Sequence, residues 1–215
     1  MQKFDERFLK KFLTLVAVFI VSLMGILALD IFTVYFENNK LLAPVSLMSF
    51  SFDLIGAFVP LCVGLVFLLL YVRMKFPLKV YFGCFLVSVL VAFFSVRAVP
   101  DEGLMGSIIQ FSFVASLLVI VCFLLFLYYK ERTLWNFGRR YYLASLMVVI
   151  SCSPLSKIIV DLFYLPFFSN SIIGGNGIAD GVFLSLMYAP VTLSLFASVL
   201  LIVLSIAREL VRKQE

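Results

Sequence analysis

The chain has 215 residues, 64% of them hydrophobic and only 13% charged, with a mean hydropathy of +1.16 and a formal net charge of +5. Soluble domains are about half apolar and a quarter charged, so these proportions exclude a water-soluble globule. Histidine is absent, which removes imidazole general bases, His-ligated metals and bis-His haem.

A helix needs about 20 mostly apolar residues to cross the hydrocarbon core of a bilayer. In chain order, the stretches 12–36, 44–72, 80–96, 104–129, 141–168 and 178–207 meet that length. They are separated by the short polar connectors 37–40, 73–79, 97–103, 130–140 and 169–177. The expected fold class is therefore all-α: a polytopic transmembrane helix bundle of six spans, forming a single integral membrane domain over 1–215. The first apolar run exceeds the roughly 7–15 residues of a signal-peptide core, and Leu29, Asp30 and Ile31 make a poor processing site, so a retained first helix is expected. The fifth span is expected to be broken, by Ser151-Cys-Ser-Pro154 and again by Pro166, because proline removes an N–H and clashes with the preceding turn.

Orientation follows from the basic residues, which gather in alternate connectors. Lys3, Arg7, Lys10 and Lys11 precede the first span; Arg73, Lys75 and Lys79 follow the second; Lys130, Arg132, Arg139 and Arg140 follow the fourth; Arg208, Arg212 and Lys213 follow the last. The opposite side holds only Lys40 and Arg97. This pattern predicts both termini in the cytoplasm and a location in the plasma (cell) membrane. Tyr35, Tyr71, Tyr81, Tyr128, Tyr129, Trp135, Tyr141 and Tyr142 fall at span boundaries, as interfacial belts would. The net positive charge then reflects this bias and attraction to anionic headgroups; the expected partner is the lipid bilayer, and nucleic acid is not expected. Faces of small residues suggest a homodimer.

Cys62, Cys84, Cys122 and Cys152 each lie inside an apolar run with no C-x-x-C spacing, and are expected to be small buried hydrophobes in separate helices. No phosphate-binding glycine loop, metal-ligand cluster or serine-nucleophile motif is found, so neither cofactor nor metal is expected. The glycines at 174–177 do not follow a strand, which fails the context test of a dinucleotide site.

Ionisable groups inside spans are costly and mark functional candidates. They are Asp30, Asp53, Lys157, Asp161 and Asp180, and the four aspartates fall in the outer half of the membrane at about 1.5 Å per helical residue. Lys157 and Asp161 are spaced i, i+4 on one helix face, so they form either a functional pair or a salt bridge that binds the bundle together. Asp30, near a helix end, reads as structural. Asp53 shares a face with Gly56, Ala57, Pro60 and Gly64, which directs it toward protein.

The segment from Lys157 to Leu184 is the richest. Gly174, Gly175 and Gly177 permit a tight turn or close backbone approach, Asn176 adds a polar group, and Asp180 falls near the first turn of the next helix, where a negative charge is favoured. The same pattern also fits ordinary helix capping. Gly177, Gly181, Ser185 and Ala189 then recur every four residues, a stripe for tight helix packing.

Gly174-Gly-Asn-Gly-Ile-Ala-Asp180-Gly-Val-Phe-Leu184 resembles the G-G-x-G-x-x-D-G-[IV]-F-L hallmark of a prokaryotic family of multi-pass membrane proteins of unknown function (domain of unknown function family 1614). Weaker echoes are Gly56-Ala-Phe-Val-Pro60-Leu, Arg97-Ala-Val-Pro-Asp-Glu-Gly103 and Asp161-Leu162, so the likeness spans roughly residues 53–190. It departs at Asn176 and at Asp101-Glu102. The resemblance implies a multi-pass membrane fold and brings no activity with it.

Three functions remain open. In the first, Asp53, Lys157, Asp161, Gly174, Gly175, Asn176, Gly177 and Asp180 form an outward-facing site that binds or transports a small solute or cation, as the discontinuous helices of transporters do. In the second, Asp161 and Asp180 are the catalytic pair of an intramembrane aspartyl protease, sharing one proton. Gly175-x-Gly177-x-x-Asp180 looks like the G-x-G-D of presenilin-type proteases, with two extra residues before the aspartate. In the third, the chain is a structural or assembly subunit whose charges pair.

Overall fold

A computed structural model of the protein describes residues 6–36, 45–47, 50–99, 103–106, 108–131, 137–164 and 181–212. Six long helices dominate: α1 (Glu6–Phe36), α2 (Val59–Arg73), α3 (Leu78–Ser95), α4 (Ile108–Glu131), α5 (Arg139–Tyr164) and α6 (Gly181–Arg212). A π-helical segment, Leu54–Phe58, leads into α2. The short strands β1 (Val45–Leu47), β2 (Phe50–Phe52), β3 (Val96–Val99) and β4 (Gly103–Gly106) complete the described chain. Among the described residues, six helices are long and apolar enough to cross a membrane; the chain is a multi-pass membrane protein of the all-α class. With 31 and 32 residues, α1 and α6 reach about 46–48 Å, well beyond the ~30 Å hydrocarbon core.

Three expected boundaries are corrected. The second span begins at 54, not 44, because Val45–Leu47 and Phe50–Phe52 pair as an antiparallel hairpin, with Val45 opposite Phe52 and Leu47 opposite Phe50. The Val-Ser-Leu and Phe-Ser-Phe alternation has the period of a strand. The fourth span begins at 108, not 104, because Gly103–Gly106 pairs back on Val96–Val99, with Val96 opposite Gly106. These hairpins let backbone groups at the span ends bond each other, an alternative to the helical ladder. The fifth span is not interrupted at Pro154: α5 runs continuously through it. A membrane helix tolerates proline where packed neighbours satisfy the freed backbone, and Pro154 is buried against other helices. The second expected break, at Pro166, lies outside the described residues.

The packing has a centre and a periphery. α5 lies against α2, α3, α4 and α6, and 67% of its spanning stretch is buried, against 11% for α1. α1 packs on α6, where a methyl group in place of Gly25 would come within 3.2 Å of Val191. The small-residue stripe on α6 is used as expected: Ser185 and Ala189 are fully buried, and the Ser116 hydroxyl of α4 donates to the Ala189 carbonyl at 3.1 Å.

One end of the bundle is built by the α2–α3 turn. The Lys75 N–H donates to the Val72 carbonyl at 3.0 Å, and Lys75 adopts φ 57°, the left-handed residue that closes a helix C-terminus. The turn inserts Phe76, which stacks on Tyr71 at 5.8 Å and meets Tyr141 at 5.6 Å and Phe123 at 6.1 Å, edge-on. Arg140 covers the same ring at 5.0 Å. Arg73, Lys75, Lys79, Lys130, Arg139 and Arg140 therefore share this end, and the two hairpins lie at the other.

Candidate functional site

The hairpin end is organised by Asp53, an extended residue (φ −68°, ψ 134°) between β2 and the π-helical segment. Its carboxylate Oδ1 accepts from the Ile55 N–H at 3.0 Å and the Gly56 N–H at 2.6 Å. Its backbone carbonyl accepts from the Ala57 N–H at 3.1 Å and the Phe58 N–H at 3.0 Å. The carbonyl thus opens the helical ladder, and the carboxylate satisfies two amides at the helix start, donors that have no intrahelical partner. In a membrane, where water cannot replace them, each would cost several kcal/mol. Pro60 follows in the first turn of α2, where a missing N–H matters least. Asp53 does point into protein, as its small-residue face predicts, being 5% exposed. The described geometry gives its carboxylate a capping role.

α2 and α5 run antiparallel. Gly64 lies against Ser151, Pro154 and Leu155, and Ala57, one turn beyond Asp53, packs with Ile158 and Val182. That register sets Asp53 at about the level of Asp161, one turn past Ile158.

Lys157 is 4% exposed on the most enclosed helix. Its Nζ stands 4.6 Å from the centroid of the Phe111 ring, at the start of α4, and donates at 3.5 Å to the Ser95 hydroxyl, at the end of α3. A cation over an aromatic face is worth about 2 kcal/mol or more when desolvated, whereas burying an ion costs several kcal/mol. The ring alone therefore does not balance the burial. Val160 and Tyr164, on the same side of α5 as Lys157, pack with Phe111, Ala115 and Ala92. Asp161, partly exposed, follows Lys157 by one turn, between the α3–α4 side and the α2 side.

The rest of the interior is lined by hydroxyls that sequence reasoning passed over. Ser116 and Thr192 share a hydrogen bond at 2.8 Å across α4 and α6, and Thr192 also reaches the Ser112 carbonyl at 3.2 Å. Tyr81 of α3 meets Ser151 of α5 at 2.7 Å, and Tyr142 meets Ser194 of α6 at 2.8 Å. The Ser112 and Ser153 hydroxyls are buried without a hydrogen-bond partner among the described residues. The available signal was the i, i+4 spacing of Ser112 and Ser116 inside an apolar run. Ser95 and Phe111 carried no signal, since nothing local places them beside Lys157.

The structure thus brings Asp53, Lys157 and Asp161 to one end of the bundle. Gly174, Gly175, Asn176, Gly177 and Asp180 lie outside the described residues, and with them the Asp161–Asp180 pairing and the family hallmark up to α6. Asp30 falls within α1, its side chain outside the described set. Among the described residues, no group of three or more Cys, Asp or Glu side chains is arranged to hold a metal ion. No protein-family model, no curated protein and no solved structure matches the chain.

Proposed function

We propose that the protein is a transporter of the cell membrane that binds a small solute or cation at a polar site on the hairpin side of the bundle. Lys157 and Asp161 form its centre. Asp180 and the 174–177 segment contribute from the approach to α6, and Asp53 holds the neighbouring helix start in place.

The observation that carries this reading is the ammonium of Lys157 buried in the bundle core against Phe111 and Ser95. A charge at that depth is expensive, and apolar side chains of similar volume stabilise a core at least as well as a buried ion pair. Retaining it fits a group whose charge is used, as a counter-charge to Asp161 that a bound cation or proton displaces. The segregation of basic residues to the opposite end supports cytoplasmic termini. The outward-facing apolar side chains of α1 to α4 support a lipid surround, and the small-residue helix faces a homodimer.

The test is thermal unfolding of the purified full chain across a series of sodium, potassium and lithium salts and pH. A ligand bound only by the folded state raises stability by RT ln(1 + [L]/Kd), about 2.7 kcal/mol at a hundredfold excess over Kd. The wild-type protein is expected to show ion- or proton-specific stabilisation that Asp161→Asn and Asp180→Asn each abolish. Unchanged stabilisation in both variants rejects the reading.

A further inference from the structure

Between α4 and α6 the interior holds a cluster built of oxygens. The Thr192 hydroxyl of α6 stands 3.0 Å from the Tyr188 carbonyl oxygen, 3.1 Å from that of Ala189 and 3.2 Å from that of Ser112 on α4. The Ser116 hydroxyl is 2.8 Å from the Thr192 hydroxyl and 3.1 Å from the Ala189 carbonyl. All five residues are buried, with Ser112, Ser116, Ala189 and Thr192 at 0% exposure.

The cluster is short of protons. Each hydroxyl has one to give, and one of the two is used between Ser116 and Thr192. A single O–H is left for three carbonyls, each with a lone pair beyond the one its helix ladder engages. The Ser112 hydroxyl adds to the excess. It lies one turn before Ser116 on the same face of α4, buried without a hydrogen-bond partner among the described residues. Buried polar atoms are almost always paired, so these oxygens call for an electropositive guest. Pro190, between Ala189 and Thr192 in α6, has no N–H, and the helix ladder is loosened beside these carbonyls.

We propose that this cage seats a dehydrated monovalent cation of sodium's size, and that sodium is the ion of the transport reading, on which the proposal rests. Hard cations take oxygen ligands, and carbonyls at interrupted helices coordinate sodium in transporters. Oxygens 2.8–3.2 Å apart enclose only a small ion. Set octahedrally at the wider spacing they stand about 2.3 Å from its centre, the contact range of calcium, which sodium matches in size. Potassium would force the two helices apart. The donors are neutral, so a divalent ion would keep a charge that the cage does not offset. Ser112 follows Phe111, whose ring carries the Lys157 ammonium, and the cage therefore adjoins Lys157 and Asp161. Sodium takes over from Lys157 as the counter-charge of Asp161.

The experiment measures thermal midpoints of the purified full chain against sodium chloride, with N-methylglucamine chloride holding ionic strength constant and potassium chloride as the comparison. Sodium is expected to raise the wild-type midpoint, and potassium to raise it less. Ser112→Ala breaks no hydrogen bond of the described structure, so its sodium-free midpoint should not fall. It should need about tenfold more sodium for the same rise, the scale of one contact to a charge. Ser116→Ala and Thr192→Val should lose the rise, and Thr192→Ser should retain it. A sodium response that Ser112→Ala and Thr192→Val both leave unchanged overturns the cage; if Asp161→Asn still abolishes that response, the transport reading survives without it. A wild-type midpoint indifferent to sodium, or raised equally by potassium, also overturns the cage. Loss of the response in the cage variants but in neither Asp161→Asn nor Asp180→Asn keeps the cage and rejects the transport reading.

Discussion

Gly64 of α2 lies so close to the Ser151 carbonyl of α5 that a methyl group in its place would stand 3.3 Å from that oxygen, and 3.4 and 3.5 Å from Leu155 and Pro154. The absence of a side chain here lets two backbones meet just before the proline of the central helix. Gly83 of α3 makes the contrast: a methyl group there would meet nothing within 4 Å.

Substituting these two glycines therefore has opposite effects. Gly83→Ala removes the conformational cost of a helical glycine and should stabilise by about 0.5–1 kcal/mol. Gly64→Ala gains the same propensity but must displace backbone, so its net effect is expected near zero or unfavourable. Gly64→Val adds overpacking of about 1–3 kcal/mol and should destabilise clearly. Thermal midpoints of the purified variants in one detergent check the order; a Gly64→Val protein as stable as Gly83→Ala would refute the close approach.

Lys75 occupies the left-handed position that glycine ordinarily takes at a helix end. A side chain there costs about 1–2 kcal/mol, and the Lys75→Gly protein should be more stable by about 1 kcal/mol. Lys75→Ala keeps the strain and loses only the charge, so it should match the wild type. Equal midpoints for the Gly and Ala variants would contradict the strained turn.

Asp53 should behave as a cap. Asp53→Ala leaves the Ile55 and Gly56 amides without their side-chain acceptor and should cost about 1–2 kcal/mol. Asp53→Asn retains an oxygen acceptor and should keep most of that stability along with any ion-dependent stabilisation. Loss of the latter in a fully stable Asp53→Asn protein would instead place the charge of Asp53 in the binding site.

Lys157 and Asp161 separate a working charge pair from one that merely binds the bundle together. On the proposed pairing, Lys157→Met leaves the Asp161 carboxylate without its counter-charge and should be destabilised, by less than the about 3–5 kcal/mol of a fully buried pair, because Asp161 is partly exposed. The Lys157→Met/Asp161→Asn protein should regain most of the loss, and on the transport reading it should still lack ion-dependent stabilisation. A double variant that regains both would reduce the pair to a structural one.

The six spans were legible because hydropathy over about 20 residues is a local property that a bilayer reads directly. So were the segregation of basic residues and the small-residue stripe of α6, since both are patterns within one element. The hairpins were harder. Val45, Leu47, Phe50 and Phe52 alternate with serines at the edge of a longer apolar run, and a composition window merges them into the span. The same alternation, considered by its period, was the available signal.

Composition and spacing, then, determined that the chain is a multi-pass helical membrane protein and that Lys157 and Asp161 lie within a span, whereas Asp53 falls just before one. Only the tertiary structure decided that α5 is the centre, that Asp53 closes a helix start, and that Lys157 meets Phe111 and Ser95. These pairs join residues tens of positions apart, and in a lipid solvent no difference in hydrophobicity marks the buried face. Close packing and the need to satisfy every backbone polar group select the neighbours, and neither is written in any single helix.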